Sequence, residues 1–254
     1  MIAWVTGGGT GIGRALAEAL CRRGDCVVIS GRREDVLLAA ARDITLSGKG
    51  KILPIAGDVR DPAYAPRVVR RVEQEWGPVE LLINNAGINE HHPIEDTSSE
   101  EFERTWRINC LGPFLCVKAV LPGLLRRKKG TIVNISSILG RIASEHSPAY
   151  SSSKFALAGF SDALRQHLLF SGVHVMTVYP GFVKTAMTEG QIPAGSFRSR
   201  LGVSADKMAA AILRAAEKKK RNLYYPPYVG LAVLLHTLSP EMIEYICRKA
   251  RDPE

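Results

Sequence analysis

The sequence predicts an α/β fold in which helices cover both faces of a parallel β-sheet. Short apolar runs alternate with longer amphipathic stretches along most of the 254 residues, as expected for successive β-α units. No linker-like, low-complexity or repeated segment interrupts this alternation. We therefore expect a doubly wound sheet between two layers of helices, organised as one domain over residues 1–254.

Six short apolar runs are predicted to be buried strands. They are Ile2–Thr6, Cys26–Ser30, Lys51–Ala56, Glu80–Asn84, Thr131–Ser136 and Val173–Tyr179. The predicted helices between them are Ile12–Arg23, Glu34–Ser47, Pro62–Trp76, Glu101–Arg127 and Ala149–Ser171. Ligands of such sheets bind beyond the carboxyl ends of the strands, so functional residues are expected just after strands.

The composition indicates a folded protein with a basic surface. Hydrophobic residues make up 46% and charged residues 23%, which suits a sizeable core and argues against disorder. The net charge of +9 falls in short runs such as Arg126–Lys129 and Lys218–Arg221, without interleaved aromatic residues. Such runs fit solvated helix ends, where cations meet the negative end of the dipole, and no nucleic-acid partner is expected. A phosphorylated cofactor or an anionic membrane surface is the alternative target.

Cysteine and histidine patterns predict a cytoplasmic protein without a metal. The five cysteines lack metal-like or redox-like spacing and have apolar neighbours, which favours buried thiols in a reducing compartment. The pair His91–His92 has no third ligand nearby. Ile2–Thr6 already reads as a strand, so no signal peptide is expected, and the longest apolar run, Val229–Leu235, is too short to span a bilayer.

A glycine-rich turn joins the first strand to the first helix. Its sequence, Thr6–Gly13, has the spacing TGxxxGxG, and glycines there allow backbone amides to approach a pyrophosphate at a helix N-terminus. The turn therefore predicts a dinucleotide-binding loop. The expected contacts are Gly7, Gly9, Thr10, Gly11, Ile12 and Gly13.

The end of the second strand favours NADP(H) over NAD(H). Gly31 occupies the position where an NAD site usually has an acidic residue on the ribose 2′-hydroxyl. Arg32 follows and can bind a 2′-phosphate through a planar, charge-assisted contact. Arg33 fits either a second contact or a solvated loop position, and the acidic pair Glu34–Asp35 suits a helix N-terminus.

A hydroxyl, a phenol and an ammonium are expected to meet at the carboxyl edge of the sheet. Tyr150 and Lys154 are four residues apart on one helical face, and Ser137 follows a predicted strand. Hydride transfer to a carbonyl develops negative charge on oxygen, which needs hydrogen-bond donors and then a proton. The ammonium is expected to lower the tyrosine pKa from about 10 and so stabilise the phenolate.

These motifs, in this order over about residues 2–185, resemble the single-domain branch of the short-chain dehydrogenase/reductase family. The matching residues are Thr6-Gly7-x-x-x-Gly11-x-Gly13, Asn84-Asn85-Ala86-Gly87, Asn109, Ser137, Tyr150-x-x-x-Lys154 and Pro180-Gly181. The resemblance implies a Rossmann-type fold and nicotinamide-dependent interconversion of a carbonyl and an alcohol. It also implies that Tyr150 donates the proton, that Lys154 binds the nicotinamide ribose and that Ser137, rather than Ser136, polarises the substrate carbonyl.

Further positions are assigned by the resemblance. Asn109 would hold a water that links Lys154 to solvent; Pro113 lacks the N–H that would bond the Asn109 carbonyl, so a kink is expected. The alternative is an Asn–Pro pair that only bends the helix. Asp58 would contact the adenine, or else cap the next helix. The remaining implied cofactor contacts are Val59, Asn85, Ala86, Gly87, Pro180, Gly181, Val183 and Thr185.

The C-terminal third predicts the substrate class only loosely. Residues 186–202 read as a lid whose Met187, Ile192 and Phe197 either line an apolar pocket or pack internally. Residues 204–254 read as an extension for substrate or oligomer contacts, with a helix over Ser204–Lys220 capped by Ser204 and an apolar tail at Tyr228–Leu238. This tail resembles those of family members that act on steroids, retinoids or lipid ketones.

Partners and activity follow from the same resemblance. The usual dimer faces of the family correspond to Glu101–Arg127 and Ala149–Ser171, so a homodimer or homotetramer is expected. The tail helix with Lys218–Arg221 would touch a membrane surface or be buried in a dimer. The sequence favours an NADP(H)-dependent reductase of a hydrophobic carbonyl. The alternative is a catalytically silent NADP(H)-sensing module, whereas the glycine spacing disfavours a sugar-nucleotide epimerase.

Overall fold

Seven parallel strands form the central sheet of the computed structural model, which describes residues 1–188 and 201–241. The strands lie in the order β3-β2-β1-β4-β5-β6-β9, so the order reverses between β1 and β4. They are β1 (Ile2–Thr6), β2 (Cys26–Gly31), β3 (Lys51–Ala56), β4 (Leu81–Asn84), β5 (Gly130–Ile135), β6 (Val173–Pro180) and β9 (Asn222–Tyr225). Two short strands, β7 (Val183–Lys184) and β8 (Val203–Ser204), pair separately.

Helices cover both faces of the sheet, which confirms the predicted three-layer α/β/α fold. They are α1 (Gly11–Arg22), α2 (Glu34–Ser47), α3 (Tyr64–Glu75), α4 (Ser99–Trp106), α5 (Gly112–Arg127), α6 (Pro148–His167), α7 (Ala205–Glu217) and α8 (Pro227–Leu238). One core packs α1, α2 and α7 against the sheet, and a second packs α3, α5 and α6 against its other face. Both cores form because the strands are apolar on both sides, as buried parallel strands require.

The strand β9 is absent from the sequence-based prediction. It has only four residues, all half-buried, and it pairs in parallel with the end of β6. Helix α7 is confirmed, and its N-cap Ser204 accepts a hydrogen bond from the Lys207 amide at 3.3 Å. Of the predicted lid, residues 189–200, including Ile192 and Phe197, lie outside the described part of the chain, as do residues 242–254 of the extension.

The long helix predicted over Glu101–Arg127 is confirmed, since the chain is helical from Ser99 to Arg127. A π-turn at Arg107–Leu111 lies within it, between α4 and α5, where the disturbance at Asn109 and Pro113 was expected. Pro113 cannot donate to the Asn109 carbonyl, and the ladder widens instead, with the Gly112 amide bonding to the Arg107 carbonyl five residues earlier. The stretch 99–127 is long and apolar enough to cross a membrane by length and composition. More than half of its apolar window is buried in the fold, as in a core helix.

The parallel strands give the sheet two chemically different edges. Glycine-rich and polar loops follow the strands at the carboxyl edge, whereas the basic helix ends precede strands at the amino edge. Lys218–Arg221 precedes β9, whereas α8 begins after it, roughly 10 Å further along the sheet at about 3.3 Å per residue. The two features predicted to contact a membrane therefore lie towards opposite edges of the sheet, and membrane contact by the tail helix stays a prediction.

Candidate active site

A cleft of about 1200 Å³ follows the carboxyl edge of the sheet. It begins at the glycine-rich loop after β1, passes Tyr150 and Lys154 on α6, and ends against α8. Most residues predicted to bind cofactor line it directly. The two predicted residues that do not line it are Gly13 and Asn109, which lie behind its wall.

The glycine-rich loop has a backbone shape that side chains would block. Gly7 and Gly11 have φ values of +65° and +54°, in the left-handed region that favours glycine. A Cβ on Gly13 would lie 2.2 Å from the Gly7 carbonyl oxygen, so α1 packs directly against the turn. Thr6 Oγ1 accepts hydrogen bonds from the Asn85 and Ala86 amides at 3.0 Å each. The loops after β1 and β4 are thereby joined at the point where strand order reverses.

Ser137, Tyr150 and Lys154 lie together in the middle of the cleft. Burial raises the pKa of the Tyr150 phenol to about 12, partly offset by its hydrogen bond with Ser137. The Lys154 ammonium lies 5.5 Å from the centroid of the Tyr150 ring and donates to the Ile135 carbonyl at 2.9 Å. The Tyr150 pKa is therefore shifted in the opposite direction to the predicted lowering, because burial disfavours the charged phenolate.

Lys154 is itself buried, with 3% of its surface exposed. Burial lowers the pKa of its ammonium to about 8, and the Cys110 thiol nearby opposes that shift. Ser136, the alternative catalytic serine, donates from Oγ to the backbone carbonyl of Lys154 at 3.0 Å. The two neighbouring serines thus have different contacts: Ser136 anchors α6 to the sheet, and Ser137 reaches the phenol.

Asn109 holds the loop after β4 in place from within the π-turn. Its Oδ1 accepts from the Ile88 amide at 2.9 Å, and its Nδ2 donates to the Ile88 carbonyl at 2.9 Å and to Ser153 Oγ at 3.0 Å. Gly87 lies between Asn109 and Lys154, since a Cβ there would be 3.1 Å from Asn109 Oδ1 and 3.5 Å from Lys154 Nζ. Asn109 and Lys154 are therefore brought together, with Gly87 as the spacer.

Two arginines line the end of the cleft next to β2 and β3, and a third, Arg60, pairs with Asp58 there. Arg32 and Arg33 are exposed and line it, as does Asp58. Asp58 is engaged by Arg60, whose Nη2 lies 2.6 Å from Asp58 Oδ2 and whose amide bonds Oδ1 at 2.9 Å. These hydrogen bonds from Arg60, with the charge of Arg32, hold the pKa of Asp58 below its usual value. Asp58 therefore orders its own turn, and sequence reasoning missed Arg60, although the Asp-x-Arg spacing was visible.

The turn after β6 lies over the glycine-rich loop. A Cβ on Gly11 would be 3.2 Å from Thr185 Cγ2, and the Thr185 amide donates to Thr188 Oγ1 at 3.1 Å. Tyr228 on α8 accepts a hydrogen bond at its hydroxyl from the Phe182 amide at 3.1 Å. Thr188 and Tyr228 were not predicted, because they are tied to this turn by tertiary contacts with no local motif.

Beyond Tyr150 the cleft becomes largely apolar. Its lining there includes Ile138, Leu139, Ile142, Phe155, Phe182, Met187, Leu201 and Ala232. Polar groups gather on one side, where the His91 Nδ1 lies 3.0 Å from Ser147 Oγ and the rings of His91 and His146 are 5.6 Å apart. The sequence indicated His91 only as an incomplete metal ligand. The adjacent His92 lies instead 3.0 Å from Glu101.

Comparison with known proteins identifies the class that this fold and site define. The family model for short chain dehydrogenases matches residues 1–194. Mouse dehydrogenase/reductase SDR family member 7B is 32% identical over 247 residues, covering 93% of this chain and 76% of the relative. The 3-oxoacyl-(acyl-carrier-protein) reductase FabG of Escherichia coli is 33% identical over 222 residues, covering 83% and 87%.

The chain therefore belongs to the short-chain dehydrogenase/reductase family and is an oxidoreductase acting on CH–OH groups. A solved structure, L-sorbose reductase from Gluconobacter frateurii complexed with NADPH and L-sorbose, superposes with a TM-score of 0.78. That match covers 88% of this chain and 94% of the other at 23% identity, which confirms the fold.

Proposed function

We propose that the protein is an NADP(H)-dependent reductase of a hydrophobic ketone or aldehyde. The observation that carries this proposal is the position of Ser137, Tyr150 and Lys154, midway along the cleft. On one side lies a glycine-rich loop shaped for phosphates, and on the other a largely apolar chamber. The family's chemistry on CH–OH groups and the reductases among its relatives agree with this direction of reaction.

The residues present fit a nicotinamide dinucleotide. The loop lines the cleft with Gly7, Gly9 and Gly11, which have no side chains, so its backbone amides at the start of α1 are open to a pyrophosphate. We assign pyrophosphate contacts to Gly7, Gly9, Thr10, Gly11, Ile12 and Thr185. We assign the adenosine end to Asp58 and Val59 with Arg32 and Arg33, and the nicotinamide end to Asn85, Ala86, Gly87, Pro180, Gly181 and Val183. The bound dinucleotide supplies the hydride.

Side chains of the protein then stabilise the negative charge that develops on the substrate oxygen. Ser137 donates a hydrogen bond to the carbonyl and polarises it, and Tyr150 transfers its phenolic proton to the developing alkoxide. With a pKa of about 12, Tyr150 is fully protonated at neutral pH and suits the role of acid in reduction. Lys154, charged at neutral pH, stabilises the phenolate as it forms and binds the ribose hydroxyls.

Asn109 is proposed to help Lys154 exchange protons with solvent, on the side of Lys154 that faces away from the substrate. Its amide holds the backbone of Ile88, and the widened π-turn leaves the local carbonyls without regular helical spacing. A water held at the Asn109 carbonyl would return a proton to Lys154 from solvent. Reduction is the proposed physiological direction, because cells usually keep the NADP(H) pool reduced.

Each protomer is proposed to be one catalytic domain, and the protein is proposed to work as a homodimer or homotetramer in the cytoplasm. Residues 186–202 are assigned as a lid and residues 204–254 as an extension, since α8 and Leu201 both line the apolar chamber. Exposed aromatic rings on α4, α5 and α6 support an oligomer through that face. These rings are Phe102, Trp106, Phe114 and Phe155.

Turnover with NADPH and a panel of apolar ketones and aldehydes tests the proposal. Wild-type protein should oxidise NADPH in the presence of a substrate, and Tyr150→Phe should lower kcat by about 1000-fold or more while still binding NADPH. Cofactor binding without turnover in either protein would instead support the NADP(H)-sensing alternative. Substrates can be sought in lipid extracts as species that gain two hydrogens with wild type and not with Tyr150→Phe.

A further inference from the structure

The amino edge of the sheet, opposite the cleft, carries a surface with no part in the proposed reaction. Three loops meet there because they precede the neighbouring strands β5, β6 and β9. They are Arg126–Lys129, Leu169–Gly172 and Lys218–Arg221, and we call them the amino-edge patch. Strand order puts the Leu169–Gly172 loop between the two basic runs.

Contacts tie the three loops together. A Cβ on Gly172 would lie 2.0 Å from the Lys128 carbonyl oxygen, so this loop packs directly on the first basic run. On its other side, His174 Nε2 bonds the Lys220 carbonyl at 3.1 Å and Arg165 Nη2 donates to the Arg221 carbonyl at 3.3 Å. The patch is thus a continuous surface on a rigid sheet edge.

The charge of the patch is of one sign. Its two runs supply eight cations and its three loops contain no acidic residue. Seven of these cations are exposed; Arg127, half-buried, donates to the Val79 carbonyl at 2.6 Å. The adjacent Glu217 lies 2.5 Å from Arg23, just after α1, and so is already paired.

Two apolar side chains project from the centre of this basic surface. Leu169 is 67% and Phe170 is 96% exposed. A single exposed apolar residue is ordinary on a protein surface, but an adjacent pair framed by cations has the composition of a membrane-interface segment. Leucine has no ring to stack on a base, so this tip suits lipid better than nucleic acid.

The backbone of both basic runs points to the same conclusion. Lys128 and Lys219 have φ values of 51° and 50°, and within the described residues they are the non-glycine residues with positive φ. The left-handed position that ends a helix is usually glycine or asparagine, which adopt it with little strain. The chain has lysine at both turns, so each basic run carries a charge at a position where glycine or asparagine is the usual residue.

We propose that the amino-edge patch docks the protein onto an anionic lipid surface. The cations approach lipid phosphates and carboxylates, and Leu169 and Phe170 insert among the headgroups. The cleft lies at the opposite edge of the sheet and stays open to water in this orientation. Docking is independent of the reductase activity proposed above, so either can fail without the other.

Vesicle flotation at low salt tests the docking directly. The protein should bind phosphatidylcholine vesicles that contain phosphatidylserine, bind pure phosphatidylcholine weakly and be released by added salt. The double variant Lys128→Gly, Lys219→Gly removes two charges at positions that suit glycine, so it should fold normally and bind about tenfold or more weakly. Thermal melting checks that it is folded.

A matched pair of apolar variants tests the tip. Phe170→Ser should weaken vesicle binding severalfold, whereas Leu46→Ser should not, since Leu46 is 88% exposed at the end of α2 and lies outside the patch. Equal binding to neutral and anionic vesicles, or no effect of the lysine and Phe170 variants, would overturn the proposal. So would tighter binding to an oligonucleotide than to vesicles, or a change in oligomer mass in Phe170→Ser.

Discussion

The exposed pair Arg32–Arg33 gives the sharpest test of cofactor selection. Both arginines line the end of the cleft where β2 stops, and Asp58 opposite them is held by Arg60. The Asp58 carboxylate is therefore charged and already paired with Arg60. Replacing Arg32 by alanine removes the cation that we assign to the 2′-phosphate and leaves the contacts between Arg60 and Asp58 in place.

The magnitude follows from the exposure of Arg32. A hydrogen bond to a charged group contributes about 1.5–3 kcal/mol, and an exposed pair lies at the low end because water and salt screen it. A loss of about 1.4 kcal/mol corresponds to a tenfold rise in KM. We therefore expect Arg32→Ala to raise KM for NADPH about tenfold and to leave kcat and the KM for NADH nearly unchanged.

Initial rates with both cofactors at saturating carbonyl substrate provide the measurement. Arg33→Ala is the matched control, because Arg33 is equally exposed and also lines the cleft. It should change KM for NADPH by less than Arg32→Ala does. Equal losses for NADPH and NADH in Arg32→Ala, or a lower KM for NADH than for NADPH in wild type, would refute selection by Arg32.

Three further outcomes test the catalytic centre. Lys154 has a pKa of about 8 and Tyr150 one of about 12. The value of kcat/KM for reduction should therefore be constant below pH 8 and fall above it, as the Lys154 ammonium loses its proton. A constant kcat/KM up to pH 10 would contradict this. Gly13→Ala should abolish NADPH binding in calorimetry, whereas Gly159→Ala, with open space around its Cβ, should not. Asn109→Ala should lower the free energy of unfolding by about 3 kcal/mol in urea titrations, because it removes three buried hydrogen bonds. An unchanged free energy of unfolding would show that these hydrogen bonds do not stabilise the fold.

Local motifs made much of the fold and site predictable. The six predicted strands are apolar enough to be recognised without context, and the glycine spacing of Thr6–Gly13 follows from a backbone shape that only small residues allow. The spacing of Tyr150 and Lys154 on one helix puts them on the same face wherever the helix packs. Such features are encoded within a few residues, so sequence order is enough to detect them.

The features that the sequence did not predict depend on tertiary contacts. The strand β9 has half-buried residues only and is held by pairing with β6, which no local pattern reveals. Tyr228 lies far along the chain from Phe182, and their hydrogen bond exists because α8 folds back over the cleft. The Tyr150 pKa was predicted with the wrong sign, because charge spacing is visible in sequence whereas the desolvation that dominates it is not.

Asn109 depends both on a local motif and on tertiary contacts. Sequence order indicates that Pro113 disturbs the helix, but the structure shows the disturbance is a widened turn that carries Asn109 to the backbone of Ile88. Gly87 then separates the asparagine from the Lys154 ammonium by no more than the space of one methyl group. A larger residue at 87 would displace the amide or the ammonium. The π-turn, Gly87 and Lys154 are therefore one geometric unit, in which the turn widened at Pro113 holds the Asn109 amide on one side of Gly87 and the Lys154 ammonium lies on the other.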